Sequence, residues 1–245
     1  MSDAKTALVT GGAGGIGTAI CRALSKQGLN VVANYHPMEA ESIEAWQAAQ
    51  KADGFDFAVA SADVSSFDDC KAMVESLDSP VDVLVNCAGI TRDASMKKME
   101  LEQWDSVLRT NLDSVFNVSK QVFTGMTERG NGRIVNISSV NGQRGQFGQT
   151  NYSAAKAGMH GFTMALAQEG AAKGVTVNSV SPGYVATAMT DLIPEEIRNA
   201  IVATVPMKRM GQPEEIADAV AYLVSDSAAY ITGQNLGVNG GFFMS

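Results

Sequence analysis

The chain has 245 residues, 45% of them hydrophobic, and 26 Asp and Glu against 18 Lys and Arg give a formal net charge of −8. That length suits one large α/β domain or two small ones, and that apolar content can bury a core, which excludes a disordered chain. The acidic balance argues against nonspecific nucleic-acid binding and against docking on an anionic membrane, both of which need excess Lys and Arg, yet it allows an anionic small ligand met by backbone dipoles.

Residues 1–5 carry no apolar stretch and no small-residue cleavage site, so no secretory signal is expected. A strand is predicted over 6–10, then a glycine-rich turn and a helix to about residue 27, with Gly28 as its C-cap. A strand over 29–34, a polar-faced helix over 38–52, a strand over 55–60 and a helix over 67–77 follow. The apolar run 81–86 predicts a fourth strand. One long helix is predicted over 101–127, with apolar positions at Trp104, Val107 and Leu108. Strand 133–138, a second long helix over 152–172, strand 175–180, two shorter helices and a last strand over 235–238 complete the pattern.

Apolar strands alternating with helices predict a doubly wound parallel sheet with helices on both faces, in one domain over 1–245. Segment 183–212, with Pro194 and Pro206 and no strand pattern, is expected to be a substrate loop or a plain surface helix pair. No run of about 18 apolar residues predicts a membrane span. Three cysteines (Cys21, Cys70, Cys87) in no C-x-x-C pair and two histidines (His36, His160) predict neither a disulfide framework nor a metal site, so a cytoplasmic protein is expected.

The first strand runs into Thr10-Gly11-Gly12-Ala13-Gly14-Gly15-Ile16-Gly17. Strand, glycine turn and helix start in that order form a dinucleotide pyrophosphate site, because glycines let the backbone approach the phosphates and the helix N-terminus supplies N–H donors. The spacing G-x-x-x-G-x-G departs from the common G-x-G-x-x-G. Asp63-Val64, after the third strand, could meet an adenine amine, and Asn86-Cys87-Ala88-Gly89, ending the fourth, could lie along a ribose or nicotinamide.

Ser139 ends the fifth strand, and Tyr152 and Lys156 share one helical face at i, i+4. A free tyrosine titrates near pH 10, about three units too high for acid–base work at neutrality. A neighbouring ammonium would lower that value, and such a phenol could protonate a ketone oxygen while hydride reaches the carbon. The small residues around the pair (Ser153, Ala154, Ala155, Ala157, Gly158) permit close approach.

Carried by this glycine turn, Asn-Cys-Ala-Gly, Asn111, Ser139, Tyr152-x-x-x-Lys156 and Pro182-Gly183 with Thr187, the whole chain resembles the short-chain dehydrogenases/reductases. That resemblance implies a Rossmann-type sheet of about seven strands and a homotetramer built through the two long helices and the last strand. It implies Tyr152 as acid/base and Lys156 as ribose ligand and pKa modifier. Ser139 would orient the carbonyl, and Asn111 would kink its helix to hold a relay water. It also adds Pro182, Gly183, Val185 and Thr187 to the nucleotide residues. Cys87 departs from the family's usual second Asn, whose brace would then be missing.

The stretch from Asn136 to Tyr152, with Ala88-Gly-Ile-Thr-Arg-Asp93, is especially similar to the acetoacetyl-CoA reductases of polyhydroxyalkanoate synthesis. By that resemblance Asp93, Lys98, Ser139, Gln146, Phe147, Gln149 and Tyr184 line the substrate path. The alternatives are a 3-oxoacyl-(acyl carrier protein) reductase and, from another class, a nucleotide-binding redox sensor without turnover. Arg92, Lys97, Lys98, Arg144, Lys208 and Arg209 are the candidate cations for CoA phosphates. Strand two ends Asn34-Tyr35-His36 with no carboxylate to repel a 2′-phosphate, so NADP(H) is expected and NAD(H) is possible.

Overall fold

A computed structural model describes residues 4–187, 190 and 195–244. The elements run β1 (Thr6–Val9), α1 (Gly15–Lys26), β2 (Asn30–Tyr35), α2 (Ala40–Ala52), β3 (Ala58–Ser61), α3 (Phe67–Glu75), β4 (Val81–Asn86) and α4 (Leu101–Leu108). A π-helical turn (Arg109–Asp113) leads into α5 (Ser114–Arg129), then β5 (Gly132–Ile137), α6 (Asn141–Arg144), α7 (Thr150–Ala171) and β6 (Val175–Pro182). The chain ends with α8 (Glu195–Thr204), α9 (Pro213–Val224) and β7 (Asn235–Val238).

The strands form one seven-stranded sheet in the order β3-β2-β1-β4-β5-β6-β7, and every pairing is parallel. The order reverses between β1 and β4, which makes the C-terminal ends of those strands a crevice for ligands. Ala7 and Val9 face α1 and α9, packing against Ile20, Leu24, Ile216 and Val220. Leu8 and Leu84 face the other side, with Met73, Val118, Val122 and Met126. Both layers are fully desolvated at their centres, so the strand ends are held by a rigid core.

Three predicted elements differ. β3 starts at Ala58 rather than residue 55, because Phe55 and Phe57 stack in series with Trp46 as core side chains. The helix predicted over 101–127 is broken by the π-helical turn. The short α6 follows β5 where no helix was expected. Residues 188–189 and 191–194 of the predicted substrate loop, Pro194 among them, lie outside the described residues.

Candidate active site

The glycine turn is shaped by contacts that no side chain could share. Gly11 has φ +61°, and a Cβ there would meet Ala88; one at Gly12 would meet Ala33, and one at Gly17 would strike the Gly11 carbonyl. No side chain caps the N-terminus of α1 and its first turn holds no acid. The leading N–H groups of this helix, behind exposed Gly14 and Gly15, are therefore unspent donors, which fits a pyrophosphate. Ala13 and Ile16 lie part-buried in the same turn, and the Thr187 side chain packs on Gly15.

Thr10, which the motif reading passed over, joins this turn to the β4 end. Its hydroxyl accepts from the N–H groups of Cys87 (2.9 Å) and Ala88 (3.1 Å). A hydroxyl directly before the first glycine was the available signal. The backbone at Cys87 is thus tied down by Thr10, just past the end of β1.

Two predicted nucleotide residues have other work. Asn34 is buried: its Oδ1 accepts from Gly11 N–H and its Nδ2 donates to the Ala60 and Ala62 carbonyls, so it is spent on holding the turn and β3 and offers nothing to a phosphate. Asn86 is buried as well and donates to Asn136 Oδ1 (2.8 Å) and Ser119 Oγ (3.3 Å), tying β4 to β5 and α5. Tyr35 is half-buried, and His36 is exposed with its Nδ1 accepting from Met38 N–H and its Nε2 3.8 Å from Asp63. Burial would raise the Asp63 carboxyl, but the N–H and hydroxyl of Ser65, with His36, hold it below its usual range. Val64 is buried beside it, its carbonyl accepting from Asn117.

The chemistry-bearing residues converge across β4, β5 and α7. Asn111 is fully buried in the π-helical turn; its Oδ1 accepts from Ile90 N–H (3.2 Å) and its Nδ2 donates to the Ile90 and Val107 carbonyls (both 2.9 Å). That side chain takes the Val107 carbonyl, four residues back, as the helix widens. Gly89 sits where a Cβ would meet Asn111 Oδ1 and, beyond it, Lys156 Nζ. Lys156 Nζ donates to the Ile137 carbonyl (2.8 Å) and lies 5.6 Å from the Tyr152 ring centroid.

Burial pushes the Tyr152 phenol up to about 12, against the downward pull of a hydrogen bond from Ser139, and Cys87 and Asp93 add to the rise. The expected lowering by the ammonium is not found: burial, opposed by Ser139 alone, sets the phenol. Burial also weakens Lys156, to about 8. At neutral pH the phenol is therefore protonated and the ammonium charged. That is the state a proton donor to a ketone oxygen requires.

Ser139 Oγ accepts from Asn141 N–H (3.1 Å), Asn141 Nδ2 donates to Gln149 Oε1 (2.9 Å), and Gln149 Nε2 donates to Asp93 Oδ2 (2.8 Å). This chain links three predicted substrate residues through Asn141, which the sequence reading missed. Gln146, Lys98 and Phe147, the last 89% exposed, stand at the surface around it. Tyr184 follows Pro182 and Gly183 at the β6 end, and Val185 makes a parallel bridge to Gly211. Of the candidate cations, Arg209 donates from both terminal guanidinium nitrogens to Glu215 and Arg144 lies over the Phe242 ring, while Lys208 donates to the Ala203 carbonyl. Arg92, Lys97 and Lys98 remain exposed after β4.

Among the described residues no helix is long and apolar enough to cross a membrane. The family model described as enoyl-(acyl carrier protein) reductase matches residues 11–243. The chain is 64% identical to an acetoacetyl-CoA reductase of Allochromatium vinosum, over 98% of this chain and 99% of the relative. It is 56% identical to an acetoacetyl-CoA reductase of Cupriavidus necator, over 98% of each chain. With a 3-oxoacyl-[acyl-carrier-protein] reductase of Staphylococcus aureus it shares 43% identity over the full length of both. Matched from the glycine turn to the C-terminal tail, the chain belongs to the short-chain dehydrogenase/reductase family of NAD(P)-dependent oxidoreductases.

Proposed function

We propose that the protein reduces the C3 ketone of acetoacetyl-CoA to (R)-3-hydroxybutyryl-CoA, a monomer for polyhydroxybutyrate, with NADPH as reductant. The observation that carries this reading is the 64% identity to an acetoacetyl-CoA reductase across almost the whole chain. The placement of Ser139, Tyr152 and Lys156 beside the glycine turn supports it. Bound reduced nicotinamide would supply the hydride to the ketone carbon. Tyr152 donates its proton to the ketone oxygen, and Ser139 holds that oxygen in line. Lys156 holds positive charge beside the developing phenolate and, with Asn111 and Gly89, lines the ribose side of the site. Asp93, Gln149, Gln146, Phe147, Tyr184 and Lys98 line the thioester path.

The choice of NADPH rests on the β2 end, where Asn34-Tyr35-His36 itself carries no carboxylate; the neighbouring acids are engaged locally, Glu39 accepting from His36 N–H and Asp63 from Ser65. Assembly as a homotetramer is supported by Phe67 and Phe116, stacked 6.0 Å apart and 40% and 49% exposed on α3 and α5. A steady-state assay with acetoacetyl-CoA and with an acetoacetyl-(acyl carrier protein), each with NADPH and NADH, tests the reading. A higher kcat/KM on the carrier-protein thioester would make the protein a fatty-acid reductase, as the relative at 43% identity is named. No turnover of any short 3-ketothioester would leave a nucleotide sensor.

A further inference from the structure

The C-terminal tail is folded back by its own side chains. Asn239 Oδ1 accepts from Gly241 N–H (3.0 Å), Asn239 Nδ2 donates to the Phe243 carbonyl (3.0 Å), and Phe242 N–H donates to the Asn239 carbonyl (3.0 Å). Gly240 and Gly241 have φ of +62° and +81°, a left-handed pair that side-chain-bearing residues adopt only with strain. The tail is therefore a built turn with one aromatic product: the Phe242 ring contacts one residue from each of two other segments. The Arg144 guanidinium lies 4.1 Å from its centroid, and the Tyr184 ring centroid lies 5.6 Å away with the planes at 58°.

Those two segments flank the site. Arg144 ends α6 and leads into the 145–149 loop, whose Gln149 is bonded to Asp93 and Asn141. Tyr184 is the second residue after β6. A third attachment holds the stretch after α8: Met207 N–H donates to the Gly240 carbonyl (3.1 Å). A cavity of about 260 Å³ lies along this junction, lined in part by Tyr184, Met207, Arg209, Gly240 and Gly241.

We infer that Phe242 is a specificity-determining positioning residue: it holds Tyr184 and the 145–149 loop at the distance that admits a thioester chain, so the tail sets the width of the substrate entrance. The inference rests on the proposed 3-ketothioester reaction for its functional consequence, but not for its structural one. The ring contacts of Phe242 are with Arg144 and Tyr184, both outside the glycine turn and the Tyr152–Lys156 pair, so it acts on substrate affinity rather than on the proton or hydride.

The test uses the full chain with Phe242→Ala and Phe242→Leu, and Phe242→Tyr as the conservative variant. The KM for the preferred 3-ketothioester should rise about 5- to 30-fold in the first two, the scale of losing a ring pair and a cation–ring contact. At the same time kcat should stay within about twofold, the NADPH dissociation constant should be unchanged, and Tyr should restore the KM. Independently of turnover, hydrogen exchange at the amides of 141–149 should be faster in Phe242→Ala than in the parent protein. Unchanged exchange in a Phe242→Ala protein that still binds NADPH would overturn the inference. An equal fall in kcat with KM unmoved would also overturn it. A parent protein that reduces no 3-ketothioester sinks the substrate reading alone, and the exchange result then decides the positioning role.

Discussion

Ser138 and Lys156 are joined through the main chain: the Ser138 hydroxyl donates to the Lys156 carbonyl at 2.9 Å. The lysine's far end is bound to the neighbouring residue, since its ammonium donates to the Ile137 carbonyl. Lys156 is thus held at both ends by one strand terminus. A long side chain that would otherwise sample many rotamers is fixed in one. His160, one turn along α7, adds a third tie, its Nε2 2.8 Å from Ser138 Oγ. Removing Ser138 should therefore loosen the ammonium without touching any reacting atom.

The first prediction concerns pH. The proposed mechanism needs Tyr152 protonated and Lys156 charged. With burial setting these groups at about 12 and about 8, the lysine is the one that fails first as pH rises. The kcat/KM for reduction should be flat below pH 8 and fall about tenfold per unit above it. Lys156→Met should abolish that limb along with most of the activity. A profile flat to pH 10 in the parent protein would contradict the assignment.

Tyr152→Phe keeps the ring and removes the only acidic proton offered to the ketone. It should lower kcat by about 10²- to 10⁴-fold, the usual worth of a positioned acid. NADPH binding, followed by fluorescence titration, should survive, because the glycine turn is untouched. Retained turnover would remove the phenol from the mechanism.

Asn111 fills all its hydrogen-bonding roles inside the π-helical turn. Asn111→Leu should strand the Ile90 N–H and the Ile90 and Val107 carbonyls, at about 1–3 kcal/mol for a buried group left unpaired. Asn111→Asp keeps the acceptor and should fall between the two in thermal melts. Both should lose activity, because the amide fixes the Ile90 backbone next to Gly89, and a Cβ at Gly89 would meet both Asn111 Oδ1 and Lys156 Nζ.

Asn86→Ala separates a brace from a ligand. Asn136 Oδ1 would lose its partner, so stability should fall by about 1–3 kcal/mol and the melting temperature by several degrees. The NADPH dissociation constant should stay within about twofold. A large loss of affinity with an unchanged melt would return Asn86 to the nucleotide.

The central strands were legible because parallel strands buried on both faces are written as Val-rich runs, and 81–86 was placed to the residue. The partly exposed last strand, 235–238, was placed to the residue as well. The glycine turn and the Tyr152–Lys156 pair were legible because their spacing is local. What was not legible depends on partners far along the chain. The apolar period runs straight through 101–127, and the break at 109–113 arises from a bond between Asn111 and Ile90. Asn34 and Asn86 look like free polar groups at strand ends, and only Ala60 and Asn136 reveal that they are spent. The Ser139–Asn141–Gln149–Asp93 chain closes over 56 residues between its last two members.

The bridge between Val185 and Gly211 has an evolutionary consequence. Ala186 N–H donates to the Gly211 carbonyl and Gly211 N–H to the Tyr184 carbonyl, both at 2.9 Å, so the two ends of the intervening segment are pinned side by side. The entropy of closing a loop rises only with the logarithm of its length, about 0.6 kcal/mol for each doubling. Insertions or wholesale replacements between these pins would thus be thermodynamically inexpensive. Descendants of this chain could explore new substrates there while the sheet and its reactive trio stay as they are.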